Sequence, residues 1–167
     1  MEGSLVIGID AGYANFAWVA IKDGNWRSPE RWCNQRLITK YSEEALFEAT
    51  YHWCQVNKQL LDSATAIVLE RQIEKKFAVM NTVIRTLYFD KTTVVCPQTI
   101  SANFDLPRTR AEKKKESIAL VKTMGCRLPA VKKKDDLADA MLLAINFLGA
   151  QNPELITGWR LRRCLSL

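Results

Sequence analysis

The stretch LVIGIDAGYANFAWVAIK, residues 5–22, decides how the fold begins. Residues 5–10 are a run of strand-forming residues that ends in Asp10, Gly12 supplies a turn, and residues 16–22 resume the strand pattern. Two such runs joined by a short turn predict a β-hairpin. The hairpin places an acidic residue at the end of the first strand.

The rest of the chain alternates between strand and helix signals. The apolar run before Glu70 is typical of a strand covered on both faces, and Ser42 followed by two glutamates is typical of a helix start. We predict strands over residues 32–39, 66–70 and 92–96, helices over residues 42–62, 74–89, 112–124 and 134–148, and a loop or short helix over residues 99–110.

The connections between these elements predict the sheet. Strands joined by short turns form an antiparallel half, whereas strands separated by helices form a parallel half. A length of 167 residues is near that of one domain, and 48% apolar residues suffice for one core. We therefore predict a single α/β domain, residues 1–167, with a mixed five-stranded sheet flanked by helices.

The cysteine pattern and the hydropathy of the sequence exclude several classes of protein. The cysteines are odd in number, scattered, without a C-x-x-C pair and accompanied only by His52, which argues against a zinc site or disulfide framework. A basic leader and a run of about 20 apolar residues are both missing. We expect an intracellular protein with no membrane partner, whose cysteines stay reduced: Cys33, Cys54, Cys96, Cys126 and Cys164.

The basic residues are clustered. A net charge of +6 comes from 24 basic against 18 acidic residues, with clusters at residues 113–115, 132–134 and 160–163. Such clusters suit a polyanion partner, although a solvated surface is the alternative.

Four carboxylates carry the chemical prediction. Asp10 and Glu70 end strands that we expect to lie side by side, so both emerge at one edge of the sheet. Asp136 and Asp139 are three apart on the last helix and share a face. Together the four would repel one another unless hard divalent cations such as Mg²⁺ compensate. Two ions about 3.5 to 4 Å apart could activate water and stabilise the leaving oxygen in phosphodiester hydrolysis.

Each acid also has a structural alternative. Asp10 precedes Ala-Gly and could be a turn residue, and Glu70 could be a paired buried carboxylate. Asp135 and Asp136 would complement the helix dipole in a first turn, whereas Asp139 lies too deep in the helix for that role.

Three motifs resemble the RuvC-like Holliday junction resolvases, most closely their poxvirus branch. They are IGIDAG at residues 7–12, IVLERQ at residues 67–72 and KKDDLADAMLLAI at residues 133–145, and the resemblance spans roughly residues 6–149. It implies a ribonuclease H-like fold in which metals are bound by Asp10, Glu70, Asp136 and Asp139. Asp135 is four residues from Asp139 and could replace Asp136, but the A-D-A register favours Asp136.

The resemblance also implies substrate, cofactors and partners. We expect a homodimer that nicks branched DNA, in particular four-way junctions, symmetrically, using two Mg²⁺ ions per site, with Mn²⁺ able to substitute and no small-molecule cofactor. A poxvirus protein of this kind would act in the host cytoplasm at viral replication sites. The helix after Glu70 resembles the family's dimer element, although core packing also explains its apolar residues Phe77, Val79, Met80, Val83 and Ile84.

Basic residues of the family contact DNA. The segment Ala-Glu-Lys at residues 111–113 resembles one such site and implies that Lys113 stabilises transition-state charge, with Lys114 and Lys115 as alternatives. Backbone phosphates would be contacted by Arg71 and Gln72 beside Glu70, and by Lys132, Lys133 and Lys134.

Other functions remain possible from the sequence. Another ribonuclease H-like nuclease, acting on an RNA–DNA hybrid or RNA, would use the same metals. The segment GIDAG also resembles a phosphate loop of actin-like ATPases, but that fold needs a second domain which 167 residues do not supply. A non-catalytic junction-binding module would be favoured if the acids were missing.

Overall fold

A five-stranded sheet, one side of which is antiparallel and the other parallel, organises the chain. The computed structural model describes residues 3–129, 131 and 133–154. The strands are β1 (Leu5–Ala11), β2 (Phe16–Lys22), β3 (Arg31–Gln35), β4 (Ala66–Glu70) and β5 (Thr92–Val95). The helices are α1 (Glu43–Val56), α2 (Lys58–Ser63), α3 (Lys75–Leu87), α4 (Pro97–Asn103), α5 (Arg110–Thr123) and α6 (Lys134–Gln151), with a 3₁₀ turn over Phe89–Lys91.

The strand order is β3-β2-β1-β4-β5. β1 pairs antiparallel with β2, and β2 antiparallel with β3, while β4 runs parallel to both β1 and β5. This confirms the mixed five-stranded sheet predicted from the connections.

The register of the sheet fixes which side chains share a face. Asp10 pairs with Ala17, and Ile9 pairs with Leu69, so the next position along β4 brings Glu70 beside Asp10. Because side chains alternate along a strand, Asp10 and Glu70 face the same side of the sheet as Val6 and Val68. Both of these valines pack in the core that contains α6.

Two hydrophobic cores cover the two faces. One lies between the sheet and α4, α5 and α6, and the other lies between the sheet and α1, α2 and α3. α6 is buried along most of its length. It packs so tightly against β1 that a Cβ built on Gly8 would clash with the backbone oxygen of Ala140 and lie 3.0 Å from the Ala144 nitrogen.

Apart from shifts of one or two residues at the ends of other elements, three boundaries differ from the sequence prediction. β3 ends at Gln35 and not at residue 39, because Gln35 pairs with Phe16, the first residue of β2, and no partner remains beyond it. The helix predicted over residues 42–62 is two helices, interrupted at Asn57, whose side chain donates to the Trp53 carbonyl. α6 continues through Gly149, which is buried inside the helix, to Gln151.

Other elements follow the prediction more closely. The Ser42 hydroxyl accepts the Ala45 amide at 3.0 Å, which caps α1 at the predicted start. α4 begins at Pro97, a residue compatible with a first helical turn, so part of the segment predicted as a loop or short helix is helical. From the sequence, Trp159 and Leu161 indicate a C-terminal tail that packs on the domain, but these residues lie outside the described part of the chain.

Within the described part of the chain, no helix is both long and apolar enough to cross a bilayer.

The contact at Gly8 gives a first prediction. Substitution Gly8→Ala should lower the free energy of unfolding by about 3 kcal/mol, the upper end of the usual range for overpacking, because the new methyl group would push α6 away from β1. Urea denaturation followed by tryptophan fluorescence measures this.

The control for Gly8→Ala is Gly3→Ala, where an added Cβ meets nothing within 4 Å but the backbone has a φ of +80°. It should cost only about 1 kcal/mol of backbone strain. Equal stability of Gly8→Ala and the wild type would contradict the tight packing of α6 on β1.

Candidate active site

A cavity of about 470 Å³ opens where β1 and β4 end beside the first turns of α6. All four carboxylates predicted from the sequence line it: Asp10, Glu70, Asp136 and Asp139. Arg71, Arg110, Lys113 and Lys114 also line it, as do Tyr13, Gln72 and Phe77. Glu74 lines the cavity as well, so the fold gathers five acidic and four basic side chains around one opening.

Asp135 and Asp136 occupy different surroundings although they are neighbours in sequence. The Lys114 amino group donates to a carboxylate oxygen of Asp135, and the resulting ion pair keeps the pKa of Asp135 low despite partial burial. Asp136 is buried, lines the cavity, and has an Oδ2 atom without a hydrogen-bond partner. This geometry supports Asp136 over Asp135 as the residue directed at the site.

Burial and mutual repulsion destabilise the ionised form of the cavity carboxyl groups, and their pKa values are raised. Burial, followed by the nearby Asp139, Glu70 and Asp136, raises the pKa of Asp10 well above its usual value. Burial likewise raises the pKa of Glu70, and it raises the pKa of Asp139 to about 6. Negative charge in this cavity is therefore held at an energetic cost that a cation would relieve.

The donor set fits a hard divalent cation. Carboxylate oxygens are the ligands that Mg²⁺ prefers, and the unpartnered Asp136 Oδ2 is a buried acceptor with no protein donor. Among the described residues, no three acidic, histidine or cysteine side chains already lie close enough to form a metal cluster. The carboxylates match such an ion in charge and donor type, and would have to draw together around it.

The residues predicted to contact DNA differ in how they lie relative to the cavity. Lys113 lies near Glu70 and Asp139 and lowers the pKa of both carboxyls, and Arg71 and Gln72 line the cavity. Lys114 lines the cavity but is tied to Asp135. Lys115 and Lys133 are exposed and, with Lys134, do not line the cavity, and Lys132 lies outside the described residues.

Three neutral polar residues beside the carboxylates were missed from the sequence. Ser117 on α5 is fully buried and lies close enough to Asp139 to lower the pKa of its carboxyl. Asn81 on α3 is buried and donates to the Glu70 carbonyl at 2.8 Å. Asn34 on β3 donates to the Lys133 carbonyl at 2.9 Å and lies close enough to Asp136 to lower the pKa of its carboxyl. A polar residue such as Asn81 on the apolar face of a predicted helix was the available signal.

The apolar residues of α3 are accounted for by the fold. Met80, Val83 and Ile84 are buried, and Phe77 and Val79 are partly buried against the same core. Core packing therefore explains the residues that suggested a dimer element, and the dimer itself stays a prediction.

Comparison with solved structures shows the fold. The chain is similar to a fowlpox virus resolvase in complex with Holliday junction DNA, at 14% identity and a TM-score of 0.66, over 89% of this chain and 99% of that one. It is similar to Thermus thermophilus RuvC in complex with a Holliday junction substrate, at 12% identity and a TM-score of 0.61, over 89% and 96%. The yeast mitochondrial Holliday junction resolvase matches at 18% identity and a TM-score of 0.61, over 99% and 87%.

These similarities confirm the ribonuclease H-like fold of the RuvC-like resolvases. A sequence search of curated proteins finds no match. The family model described as "Poxvirus A22 protein" matches residues 4–151, which include both strands and the helix that carry the four carboxylates. The chain belongs to this poxvirus protein family.

Proposed function

We propose that this protein is a metal-dependent endonuclease that resolves Holliday junctions and other branched DNA by phosphodiester hydrolysis. The observation that carries the proposal is the convergence of Asp10, Glu70, Asp136 and Asp139 on one cavity, beside Lys113, in a fold shared with junction resolvases. The neighbours whose structures contain Holliday junctions support four-way DNA as the substrate class.

In this proposal the four carboxylates hold the catalytic metal. Bound divalent cations would supply an activated water and stabilise the leaving oxygen. We propose two Mg²⁺ ions per site, with Mn²⁺ able to substitute, because the all-oxygen donor set suits these ions.

In the same proposal, basic and polar side chains of the protein contact the phosphates of the DNA. Lys113 lies near Glu70 and Asp139, where its ammonium group would balance the negative charge that develops on the phosphate. Arg71, Arg110 and Gln72 at the rim of the cavity would hold backbone phosphates, contacts that position DNA without reading its sequence.

We further propose one domain over residues 1–167 that works as a homodimer. Symmetric nicking of a two-fold junction suits an enzyme with two equivalent sites. Membership of a poxvirus family supports action in the host cytoplasm at viral replication sites.

Cleavage of a labelled four-way junction tests the proposal. With Mg²⁺, the wild type should make paired symmetric nicks, and EDTA should abolish them. Asp136→Asn should lower the rate by about 1,000-fold or more, as loss of an essential catalytic group does. Asp135→Asn is the matched control, and should cost about fivefold or less because it removes only a partly exposed ion pair.

Linear duplex and an RNA–DNA hybrid are run beside the junction. Preferential cutting of the hybrid would favour a ribonuclease. Tight junction binding without cleavage under Mg²⁺ or Mn²⁺ would leave a non-catalytic DNA-binding module.

Substitutions at Lys113 and Lys115, both on α5, distinguish a specific role of Lys113 from a general effect of positive charge. Lys113→Ala should lower the single-turnover cleavage rate about 100-fold while leaving junction affinity nearly unchanged, because the lost charge acts on the reacting phosphate. Lys115→Ala removes an exposed lysine of the same helix and should leave the rate unchanged. Equal effects of the two substitutions would contradict the assignment.

The raised carboxylate pKa values predict the pH dependence of stability. A carboxyl whose pKa is raised in the folded state, such as Asp139 at about 6, stabilises the fold at low pH and loses that contribution as pH rises through 6. In EDTA the wild type should therefore lose stability between pH 5 and pH 8. Asp139→Asn should remove part of this loss and raise Tm at pH 8 by roughly 4 °C.

The control for Asp139→Asn is Asp62→Asn, which alters an exposed carboxylate paired with Lys58 on α2 and should not raise Tm. Differential scanning calorimetry at the two pH values measures all three proteins. A Tm for Asp139→Asn at pH 8 at or below that of the wild type would refute the electrostatic cost.

A further inference from the structure

One row of residues crosses the sheet from the edge strand to the candidate active site. Ala17 on β2 pairs with Asp10 on one side and with Asn34 on the other. Residues paired directly across antiparallel strands point to the same face, so Asn34 faces α6 as Asp10 does. Ala17 between them is fully buried and small, which leaves space above the row for the first turn of α6.

The first turn of α6 has no cap of its own. Lys133 occupies the N-cap position and makes no side-chain capping bond, so the side chain of that residue does not fix the position of this turn. Asn34 reaches it from the edge strand, and its Nδ2 donates to the Lys133 carbonyl at 2.9 Å. The bond joins residues that are 99 positions apart in sequence.

The same amide acts on Asp136. Burial and the adjacent Asp135 raise the pKa of the Asp136 carboxyl, whereas Lys114 and the nearby Asn34 side chain lower it. A side-chain amide nitrogen has two hydrogens and can serve two acceptors. Asn34 is thus in a position to fix both the backbone and the carboxylate of the turn that presents Asp136 to the cavity.

We propose that Asn34 is a positioning residue, which ties the edge strand to the first turn of α6 and orients the Asp136 carboxylate toward a bound divalent cation. The inference deepens the proposed function and rests on it for the identity of the metal ligands. Residues that hold a metal ligand from behind typically change metal affinity about 10–100-fold when they are removed.

The chain offers a matched control. Asn57 also donates its Nδ2 to a main-chain carbonyl at 2.9 Å, that of Trp53, but on the α1–α2 side of the sheet and without a carboxylate partner. Asn34→Ala and Asn57→Ala therefore remove the same kind of hydrogen bond, and only the first lies beside the cavity.

Binding of Mn²⁺ to the DNA-free protein, counted by electron paramagnetic resonance of the free ion, is the first measurement. Asn34→Ala should weaken Mn²⁺ binding about tenfold, and Asn57→Ala should leave it unchanged. Asn34→Ser retains one donor on a shorter side chain and should fall between Asn34→Ala and the wild type, which keeps the comparison usable if the alanine variant is poorly folded.

A double-mutant cycle separates positioning from a general loss of structure. In an Asp136→Asn background, Asn34→Ala should cause no further loss of Mn²⁺ affinity, because the group that it orients is already changed. Additive losses in the double variant would overturn the proposal, and so would wild-type Mn²⁺ affinity in a folded Asn34→Ala protein.

Junction cleavage by the same variants distinguishes this inference from the proposed function. If the wild type cuts junctions and Asn34→Ala needs about tenfold more Mn²⁺ for half-maximal rate, both stand. If the wild type cuts no junction but the Mn²⁺ affinities still differ between Asn34→Ala and Asn57→Ala, the proposed function fails and the role of Asn34 survives.

Discussion

The packing of α6 on β1 is the contact on which the rest of the site depends. Gly8 allows the two backbones to approach, since any side chain there would meet Ala140. One alternation further along β1 the same face carries Asp10, and just before Ala140 the helix carries Asp139. Close approach of the two elements therefore brings carboxylates from distant parts of the chain over one another, and the parallel pairing of β4 adds Glu70 to the group.

Such a gathering of acids works against folding, and the surroundings offset it only in part. Lys113 and Ser117 lie four residues apart on α5 and both lower the pKa of Asp139, while Asn34 does so for Asp136. The pKa values of all four carboxyls, Asp10, Glu70, Asp136 and Asp139, nevertheless stay raised. A site that retains this repulsion gives up stability in return for cation affinity, a trade that functional sites often show.

The sequence predicts those features that depend on local pattern. The apolar runs of β1, β2 and β4 were evident, because a strand buried on both faces is apolar over most of its length, and so were the acids near the ends of β1 and β4. The end of β3 was not evident from the sequence, because it is determined by the residue at which its partner strand β2 begins. The role of Asn34 was not evident either, because its acceptor, the Lys133 carbonyl, is 99 residues away and its face is known only once the register of β2 and β3 is known.

Adjacent residues of a helix contact different neighbours, because their side chains point in different directions. Successive residues point about 100° apart, so Lys113 lies near Glu70 and Asp139, whereas Lys114 pairs with Asp135 outside the line of cavity carboxylates. The pairing neutralises Asp135, which does not line the cavity. Among the basic residues that do line it, Lys113 lowers the pKa of both Glu70 and Asp139. In the proposed function, cations held by the carboxylates would offset the negative charge where β1 and β4 end, and the arginines that line the opening would contact the phosphates of the DNA backbone.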